Sequence, residues 1–371
     1  MVVFKKVGGH MHVVPTKNDI PKSISDPGYF NIELFDEKWY MTQKFMNNWK
    51  RPISSNMFFA EEQMEWNRKN NIVHSGVITL SQMYCNMIPD KSAAIDIISF
   101  QNDYNVKLAE TYGNELSCGW VVNPLYIDEA ILECEKRLKE GKLKFICICT
   151  HYRLANGKFV TATDLNCHWL FTWANANNVP IQIHPYDYEF ICTNQEDIDV
   201  AWIGHTVKML ALTAEFFAHF AAKNIYGKYP NLRFYFAHGN YFGFSSLKRQ
   251  QKGFAARPDL YKDMRAPIDI LTAKNVWVDT IMHDEDNIWT VKRKIGILRI
   301  MLGFDNPYPL GCGVDYLGDG DYPGRILDLA EEAGFITAEE KRIMMQDVFF
   351  DWIYGEGDQR ATDLKKIIFA Q

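Results

Sequence analysis

The stretch "VGGHMHVVP", residues 7–15, decides how the rest of the sequence is interpreted. It follows a short apolar segment, residues 2–7, that we predict to be a β-strand, and it places His10 and His12 two positions apart. Side chains at positions i and i+2 of a strand project to the same side. Two imidazoles that project together at the end of a strand suit a metal ion, so this stretch predicts a pair of metal ligands.

Seven more β-rich segments follow, alternating with segments whose apolar residues recur at three- and four-residue spacing. Eight strands that alternate with helices predict an α/β fold, a (β/α)8 TIM barrel, as a single domain over residues 1–371. A doubly wound sheet would alternate in the same way, but it does not require eight units, and no GxGxxG motif follows the first strand. The further predicted strands are 73–80, 117–122, 144–150, 180–185, 232–238, 275–280 and 297–304. The clearest predicted helices are 126–141, 164–178, 207–227 and 286–296.

Two parts of the chain lie outside this alternation. Residues 13–60 form a long insertion after the first strand, rich in aromatic residues, that we expect to be a lid region. Together with the overall aromatic content of 14%, this insertion favours a flat, apolar substrate pocket. Residues 322–371 are predicted to be added C-terminal helices.

The composition argues against several classes of protein. Apolar residues make up 47% of the chain, the net charge is −6, and the pI is near 6.0. There is no run of lysine or arginine, which argues against nucleic acid or an anionic membrane as a partner. No apolar run approaches the ~20 residues that span a bilayer, and no secretory signal is evident. The eight cysteines lie in core-like segments, which predicts reduced thiols and a cytoplasmic protein.

The barrel prediction also says where a site should lie, because active-site residues of such barrels sit at the C-terminal ends of the strands. His184 ends the fifth predicted strand, His238 the sixth and Asp305 the eighth. Imidazoles and a carboxylate that converge on one point describe a zinc site with an open position, and manganese or iron would accept the same set. Three other histidines fall in predicted helices and are expected to be core or surface residues: His168, His205 and His219.

The end of the fourth predicted strand favours a single metal ion. Many metal-dependent barrel hydrolases bridge two metals with a modified lysine at this position, but here the chain reads "CTHYRL", without a lysine. The sequence also contains no GxSxG elbow and no P-loop. Nucleophilic serine catalysis and nucleotide chemistry therefore have no support.

Several segments match a known family in order along nearly the whole chain. The HxH pair after the first strand is followed by "SCGWVVNP", "EAILECEKRLKEGKLKFICICTH", "IQIHPYD", "YGKYPNLRFYFAHGN", "GFAARPDL" and "IMLGFDNPYPLG". On these segments the sequence resembles the amidohydrolase superfamily and, within it, the 2-amino-3-carboxymuconate-6-semialdehyde decarboxylase-like branch. The resemblance implies a barrel that holds one divalent metal, usually zinc in the closest relatives and manganese in some aromatic decarboxylases.

The resemblance also implies roles for the residues at the strand ends. Four residues resemble the metal ligands of the family: His10, His12, His184 and Asp305. A water would complete the coordination shell of the metal. His238 resembles the acid/base residue beside that water, which makes it, together with Asp305, a predicted catalytic residue. A neighbouring histidine can accept and return the proton of a water whose pKa a metal has lowered.

Three further residues are predicted to bind substrate. Arg257, in "FAARPDL", resembles an arginine that reaches across a dimer interface to hold a substrate carboxylate, which implies a homodimer; the alternative is a surface or helix-capping arginine. Trp202 is expected to line the pocket, with plain packing as the alternative, and His151 is expected to face the pocket from the fourth strand.

One substrate-binding residue of the family has no clear counterpart here. A second arginine is expected between the first and second strands, and its position falls near Ser54 or Ser55, with Arg51 close by. This departure and the insertion both lie where the substrate is recognised. The resemblance therefore does not carry the muconate semialdehyde substrate over to this chain.

The function that these features predict is a metal-dependent, non-oxidative decarboxylase, a carbon–carbon lyase. Its substrate would be a small carboxylate of the aromatic or enol/enamine type, and His238 would move the proton that replaces CO2. A hydrolase or hydratase that opens a lactone or amide, or adds water to a double bond, could use the same site. A non-catalytic barrel that serves as a scaffold would predict a damaged site, but all five key positions are intact.

Overall fold

The structure is a computed structural model that describes residues 4–44, 49–86, 88, 90–154, 156–186, 203–308, 310–312 and 321–370. Its central element is a sheet of eight parallel strands, and the order of the strands in the sheet follows their order in the chain. The strands are β1 (Lys6–Met11), β2 (Ile72–Val77), β3 (Leu116–Val121), β4 (Phe145–Cys149), β5 (Ile181–His184), β6 (Phe234–Phe236), β7 (Val276–Asp279) and β8 (Ile300–Met301).

Helices connect the strands, as parallel pairing requires. The described helices are α1 (Lys22–Ser25), α2 (Ala60–Lys69), α3 (Lys91–Tyr112), α4 (Ile127–Glu140), α5 (His168–Ala176), α6 (Met209–Ala222), α7 (Ile225–Lys228), α8 (Tyr241–Ala256), α9 (Glu285–Ile295), α10 (Arg325–Glu332), α11 (Ala338–Gln346), α12 (Val348–Tyr354) and α13 (Gln359–Ala370). Each of the four helices that the periodicity predicted is present, as α4, α5, α6 and α9. Among the helices that the structure describes, none has both the length and the apolar character needed to cross a membrane.

Backbone hydrogen bonds between β1 and the segment after β8 close the sheet into a barrel. Gly9 N–H donates to Leu302 O at 2.7 Å, Asp305 N–H to His10 O at 3.0 Å, and His12 N–H to Asn306 O at 2.9 Å. The predicted TIM-like barrel is therefore confirmed. The same bonds place Asp305 beside the two first-strand histidines, although nearly the whole chain separates them.

The glycine pair in β1 makes this closure sterically feasible. A Cβ built on Gly8 would lie 1.9 Å from Cε1 of Phe304, and one on Gly9 would lie 2.4 Å from Sδ of Met301. Only glycine lets the first strand lie this close to the last one. The pair is therefore part of β1, and the predicted strand 2–7 ended too early: the observed strand begins at Lys6 and includes His10.

The insertion after β1 folds into a small antiparallel sheet of its own. Its strands are Asn31–Phe35, Lys38–Gln43 and Trp49–Pro52. The face that turns inward carries the buried apolar side chains of Ile32, Met41 and Trp49. The insertion is thus anchored to the barrel core.

The predicted C-terminal helices are also present and close the N-terminal end of the barrel. Trp352, on α12, is fully buried, and its ring centroid lies 5.0 Å from those of Phe145 and Tyr235. These two residues lie on β4 and β6, so the added helix fills the base of the barrel and leaves the opposite end for a site.

Candidate metal centre

Four predicted ligands meet at the C-terminal end of the barrel. His10 lies in β1, His12 just beyond it, His184 ends β5, and Asp305 follows β8. The three histidine rings have centroids 5.0–5.6 Å apart, and one ligand atom from each lies within 4.8 Å of the others. All four residues are buried. The structure thus brings together the ligand set that the sequence predicted.

The closest atoms of this cluster are nitrogen and oxygen atoms that face one another. Nε2 of His10 lies 3.1 Å from Nε2 of His12, and Oδ1 of Asp305 lies 3.1 Å from His12 Nε2 and 3.4 Å from His10 Nε2. His184 Nε2 is buried and has no hydrogen-bond partner among the described residues. A single partner placed among these nitrogen and oxygen atoms would stabilise all of them.

The other nitrogen of each ring shows what kind of partner is needed. The nearest oxygen to each Nδ1 can only accept a hydrogen bond: Asp279 Oδ2 for His10 (2.9 Å), Ile78 O for His12 (3.0 Å) and Pro185 O for His184 (2.8 Å). Tyr235 Oη also lies 3.3 Å from His10 Nδ1, but its proton is donated to Asp279. Each Nδ1 must therefore carry the proton and donate it, which leaves a lone pair on Nε2 of a neutral ring. Three lone pairs and a carboxylate oxygen then converge with no donor between them.

The charge states of the cluster agree with this assignment. Burial lowers the pKa of His12. Burial, together with the repulsion that a protonated neighbouring imidazole would exert, brings the pKa of His184 well below its ordinary value. Burial would raise the pKa of Asp305, but the contact with His12 and the surrounding imidazoles outweigh it and hold that pKa far below its usual range. Neutral imidazoles and an ionised carboxylate fit a divalent cation.

His238 lies beside the cluster, as predicted for an acid/base residue. Its Nε2 is 3.9 Å from Oδ2 of Asp305, and its ring centroid is 4.8 Å from that of His184. Burial lowers its pKa to about 4, so the ring is neutral near pH 7. A second group of possible ligand atoms, all within 4.8 Å of one another, comes from His10, His238 and Asp305. His238 is therefore also within reach of an ion held by the cluster.

A cavity of about 180 Å³ opens above the cluster. Among the described residues, its polar lining includes Arg51, His184, His205, His238, His283 and Tyr308. Its apolar lining includes Met209, Leu210 and Ile281. A small molecule in this cavity would contact both the candidate metal site and Arg51.

Arg51 is the arginine that the sequence analysis did not assign. It lies on the insertion strand Trp49–Pro52, lines the cavity, and stacks on Tyr308 with its guanidinium carbon 4.6 Å from the ring centroid. Neither Ser54 nor Ser55 is among the lining residues. Strand alternation was the available signal, because Trp49 is buried and a residue two positions later faces the same way.

Two further histidines line the cavity. His205 was expected to be a core or surface residue, and this expectation is wrong, since it lies in a π-helical turn, Gly204–Lys208, that borders the cavity. Such wide turns are frequent at functional sites, and nothing in the sequence marks them. Burial, with Arg51 nearby, lowers the pKa of His205 to about 3. His283 follows β7 and has a positive φ of 58°.

Of the three residues predicted to bind substrate, the structure describes two, and neither is among the residues that line the cavity. His151 lies in a β-hairpin after β4, with Nε2 3.6 Å from Oε2 of Glu215, and is not among the described lining residues. The chain turns into this hairpin directly after β4, which takes the side chain away from the cavity. Arg257 follows α8, is 59% exposed and pairs with Asp259 at 2.7 Å. Trp202 lies outside the described residues.

Asp279 is a buried residue that the sequence analysis missed. It ends β7 and accepts a hydrogen bond from the ring of His10. A single acidic residue at the C-terminal end of an otherwise apolar strand was the available signal, because aspartate is rarely buried unless it is paired.

A closed parallel barrel with candidate histidine and aspartate ligands at its strand ends is typical of metal-dependent barrel proteins. The chain belongs to the amidohydrolase family: the family described as "Amidohydrolase" matches residues 79–342. The membership that the sequence resemblance predicted is therefore confirmed.

Individual relatives agree with this assignment. The chain is 23% identical over 338 residues to the 2-amino-3-carboxymuconate-6-semialdehyde decarboxylase of Dictyostelium discoideum, an overlap of 90% of this chain and 88% of that protein. The IDCase of Metarhizium anisopliae in apo form superimposes with a TM-score of 0.73 at 15% identity, over 95% of this chain and 97% of that one. A second structure is the 5-carboxyvanillate decarboxylase of Novosphingobium aromaticivorans, complexed with manganese and 4-hydroxy-3-methoxy-5-nitrobenzoic acid. It superimposes with a TM-score of 0.71 at 16% identity, over 94% of this chain and 96% of that one. At these identities the structural likeness establishes the fold alone.

The cluster predicts that the protein binds one divalent metal ion per chain. His184→Ala should lower the affinity for zinc at least about 100-fold, because losing a ligand costs more than the roughly 10–100-fold of losing a ligand's own hydrogen-bond partner. Equilibrium dialysis of the apoprotein against zinc measures this. His219→Ala, on the exposed side of α6, is the matched control and should bind as the wild type does. Equal affinity in His184→Ala would contradict the assigned ligand set.

Proposed function

We propose that this protein is a metal-dependent, non-oxidative decarboxylase of a small carboxylate of the aromatic or enol/enamine type. The observation that carries this proposal is the convergence of three Nε2 lone pairs and the Asp305 carboxylate at the floor of a cavity, with neutral His238 beside them. The names of the relatives support it, since the Dictyostelium protein and the Novosphingobium structure are both decarboxylases.

Four residues would hold the metal ion: His10, His12, His184 and Asp305. Zinc is our first choice, because three imidazoles and one carboxylate suit it. Manganese is the alternative, since relatives that act on aromatic acids have been crystallised with it. When bound, the ion would supply positive charge that holds a substrate oxygen and stabilises negative charge there.

His238 would supply the acid–base chemistry. Its neutral ring first accepts the proton of a substrate hydroxyl, which sends negative charge into the substrate's π system. The resulting imidazolium gives that proton to the carbon that bears the carboxylate. The bond from this carbon to the carboxylate then breaks, CO2 leaves, and the bonding electron pair restores the π system. The product oxygen regains a proton from solvent, so one proton replaces CO2 overall.

Arg51 would hold an anionic group of the substrate at the other end of the cavity. The ring of Tyr308 contacts both the guanidinium of Arg51, 4.6 Å from the ring centroid, and the ring of His12, whose centroid is 5.2 Å away. A flat substrate lying along this tyrosine would contact both ends of the site at once. Arg51 comes from the same chain, so this contact does not depend on the homodimer that Arg257 would require, which stays a prediction.

A substrate panel analysed by mass spectrometry tests the proposed reaction. Candidates should include benzoates with a hydroxyl next to the carboxylate and unsaturated amino acids with a conjugated carboxylate. A decarboxylase should release CO2 and, in D2O, leave one deuterium on the product carbon. A product heavier by one water, without CO2, would instead identify a hydrolase or hydratase and overturn the proposal.

We expect His238→Asn to lower kcat at least about 100-fold, because proton transfer by a positioned side chain contributes roughly 10²–10⁴-fold. Its metal content should stay at the wild-type value. Steady-state assays, with metal analysis of the same sample, measure both quantities, and His219→Asn serves as the control. Near-normal turnover in His238→Asn would rule out its assigned role.

For Arg51→Met we expect KM to rise about 10–100-fold with little change in kcat, since a hydrogen bond to a charged group is worth about 1.5–3 kcal/mol. Lys50→Met is a close control, because Lys50 is the exposed neighbour on the same strand. If the two variants had the same KM, Arg51 would have no part in substrate binding.

A further inference from the structure

Asp279 is the most heavily hydrogen-bonded buried carboxylate near the candidate metal centre. It is fully buried at the end of β7. Oδ2 accepts from Tyr235 Oη (2.5 Å), His10 Nδ1 (2.9 Å) and His238 N–H (3.2 Å), and Oδ1 accepts from Gly239 N–H (2.8 Å) and Ile281 N–H (3.2 Å). These donors come from β1, from β6 and the turn after it, and from the chain just beyond β7.

One part of this network fixes the ring of His10. Five groups that can donate face the two oxygens of Asp279, three of them backbone N–H groups, and this is the surrounding of an ionised carboxylate. An ionised carboxylate can only accept, so His10 must donate from Nδ1 and present its Nε2 lone pair to the cluster. Tyr235 donates to the same oxygen and limits where the carboxylate can lie.

The other part fixes the turn that carries His238. Three consecutive residues there have positive φ: His238 (57°), Gly239 (65°) and Asn240 (46°). Such a conformation costs free energy in residues other than glycine and persists only where the surroundings hold it. The carboxylate oxygens of Asp279 accept the N–H groups of the first two residues and so hold the turn in place.

We propose that Asp279, held by Tyr235, is a positioning residue that sets the metal-binding tautomer of His10 and the orientation of His238 through one carboxylate. The proposal rests on the proposed function, because it assumes a metal ion at the cluster. Asp279 itself lines neither the cavity nor the ligand cluster. Its effect on the ion acts entirely through His10.

Asp279→Asn separates this role from simple packing, because an amide cannot satisfy all five donors. If its NH2 group faces His10, the ring must accept at Nδ1, so the proton moves to Nε2, the atom that should bind the metal. The same change of tautomer accounts for the loss of activity when the aspartate of a serine protease triad becomes asparagine. If the NH2 group instead faces Gly239 and Ile281, it meets two donors and the turn that carries His238 is released.

The test is metal affinity of the apoprotein, measured by competition with a chelator and by the visible spectrum of bound Co²⁺. We expect Asp279→Asn to weaken zinc binding about 10–100-fold and to change the Co²⁺ bands, because the partners of metal-binding histidines contribute this much. Tyr235→Phe keeps the carboxylate but removes one donor, so it should weaken zinc binding by a smaller, measurable factor. Tyr152→Phe is the matched control, since Tyr152 is a buried tyrosine of the hairpin after β4 whose hydroxyl accepts from Cys149 N–H, and this variant should bind zinc normally.

The outcomes distinguish this inference from the proposed function. If the wild type took up neither zinc nor Co²⁺ at the cluster, the proposed function would fail and this inference with it. If the wild type bound metal and Asp279→Asn bound it with the same affinity and the same Co²⁺ spectrum, the inference alone would be overturned. Should Asp279→Asn not fold, Tyr235→Phe decides, because affinity equal to that of Tyr152→Phe would overturn the positioning role.

Discussion

The convergence of hydrogen-bond acceptors at one end of the barrel is the constraint on which the account of this protein depends. Three Nε2 atoms and a carboxylate oxygen lie close together, and the Nδ1 contacts of the same rings fix those lone pairs toward one point. Buried acceptors without a donor are costly, and one divalent cation would satisfy all of them. The site is therefore arranged for a cation, and the remaining features of the cavity can be understood in relation to it.

The fold supplies this arrangement through the closure between the first and last strands. The glycine pair Gly8 and Gly9 lets β1 lie against the chain that leads to Asp305. Helix α12 then supports the barrel from below, where Trp352 packs on Tyr235, the residue that donates to Asp279. Packing at the base, the buried network and the ligand cluster are thus connected by direct contacts along the barrel axis.

The convergence of the candidate ligands was predictable from sequence because the rules that place them are local. His10 and His12 share a strand face, and a barrel brings strand ends together whatever its loops do. The sequence analysis did not assign three residues of the site whose positions depend on tertiary contacts: Arg51, His205 and Asp279. Arg51 reaches the cavity because the insertion folds back as a sheet, and His205 because its helix begins with a π turn. Asp279 is held by donors from β1, from β6 and the turn after it, and from the chain beyond β7.

Anomalous X-ray diffraction from crystals of the zinc-loaded protein would test the central claim most directly. The account predicts one zinc peak per chain, about 2.0–2.2 Å from Nε2 of His10, His12 and His184 and from a carboxylate oxygen of Asp305. Zinc bound elsewhere in fully loaded crystals, with no peak among these four residues, would contradict it.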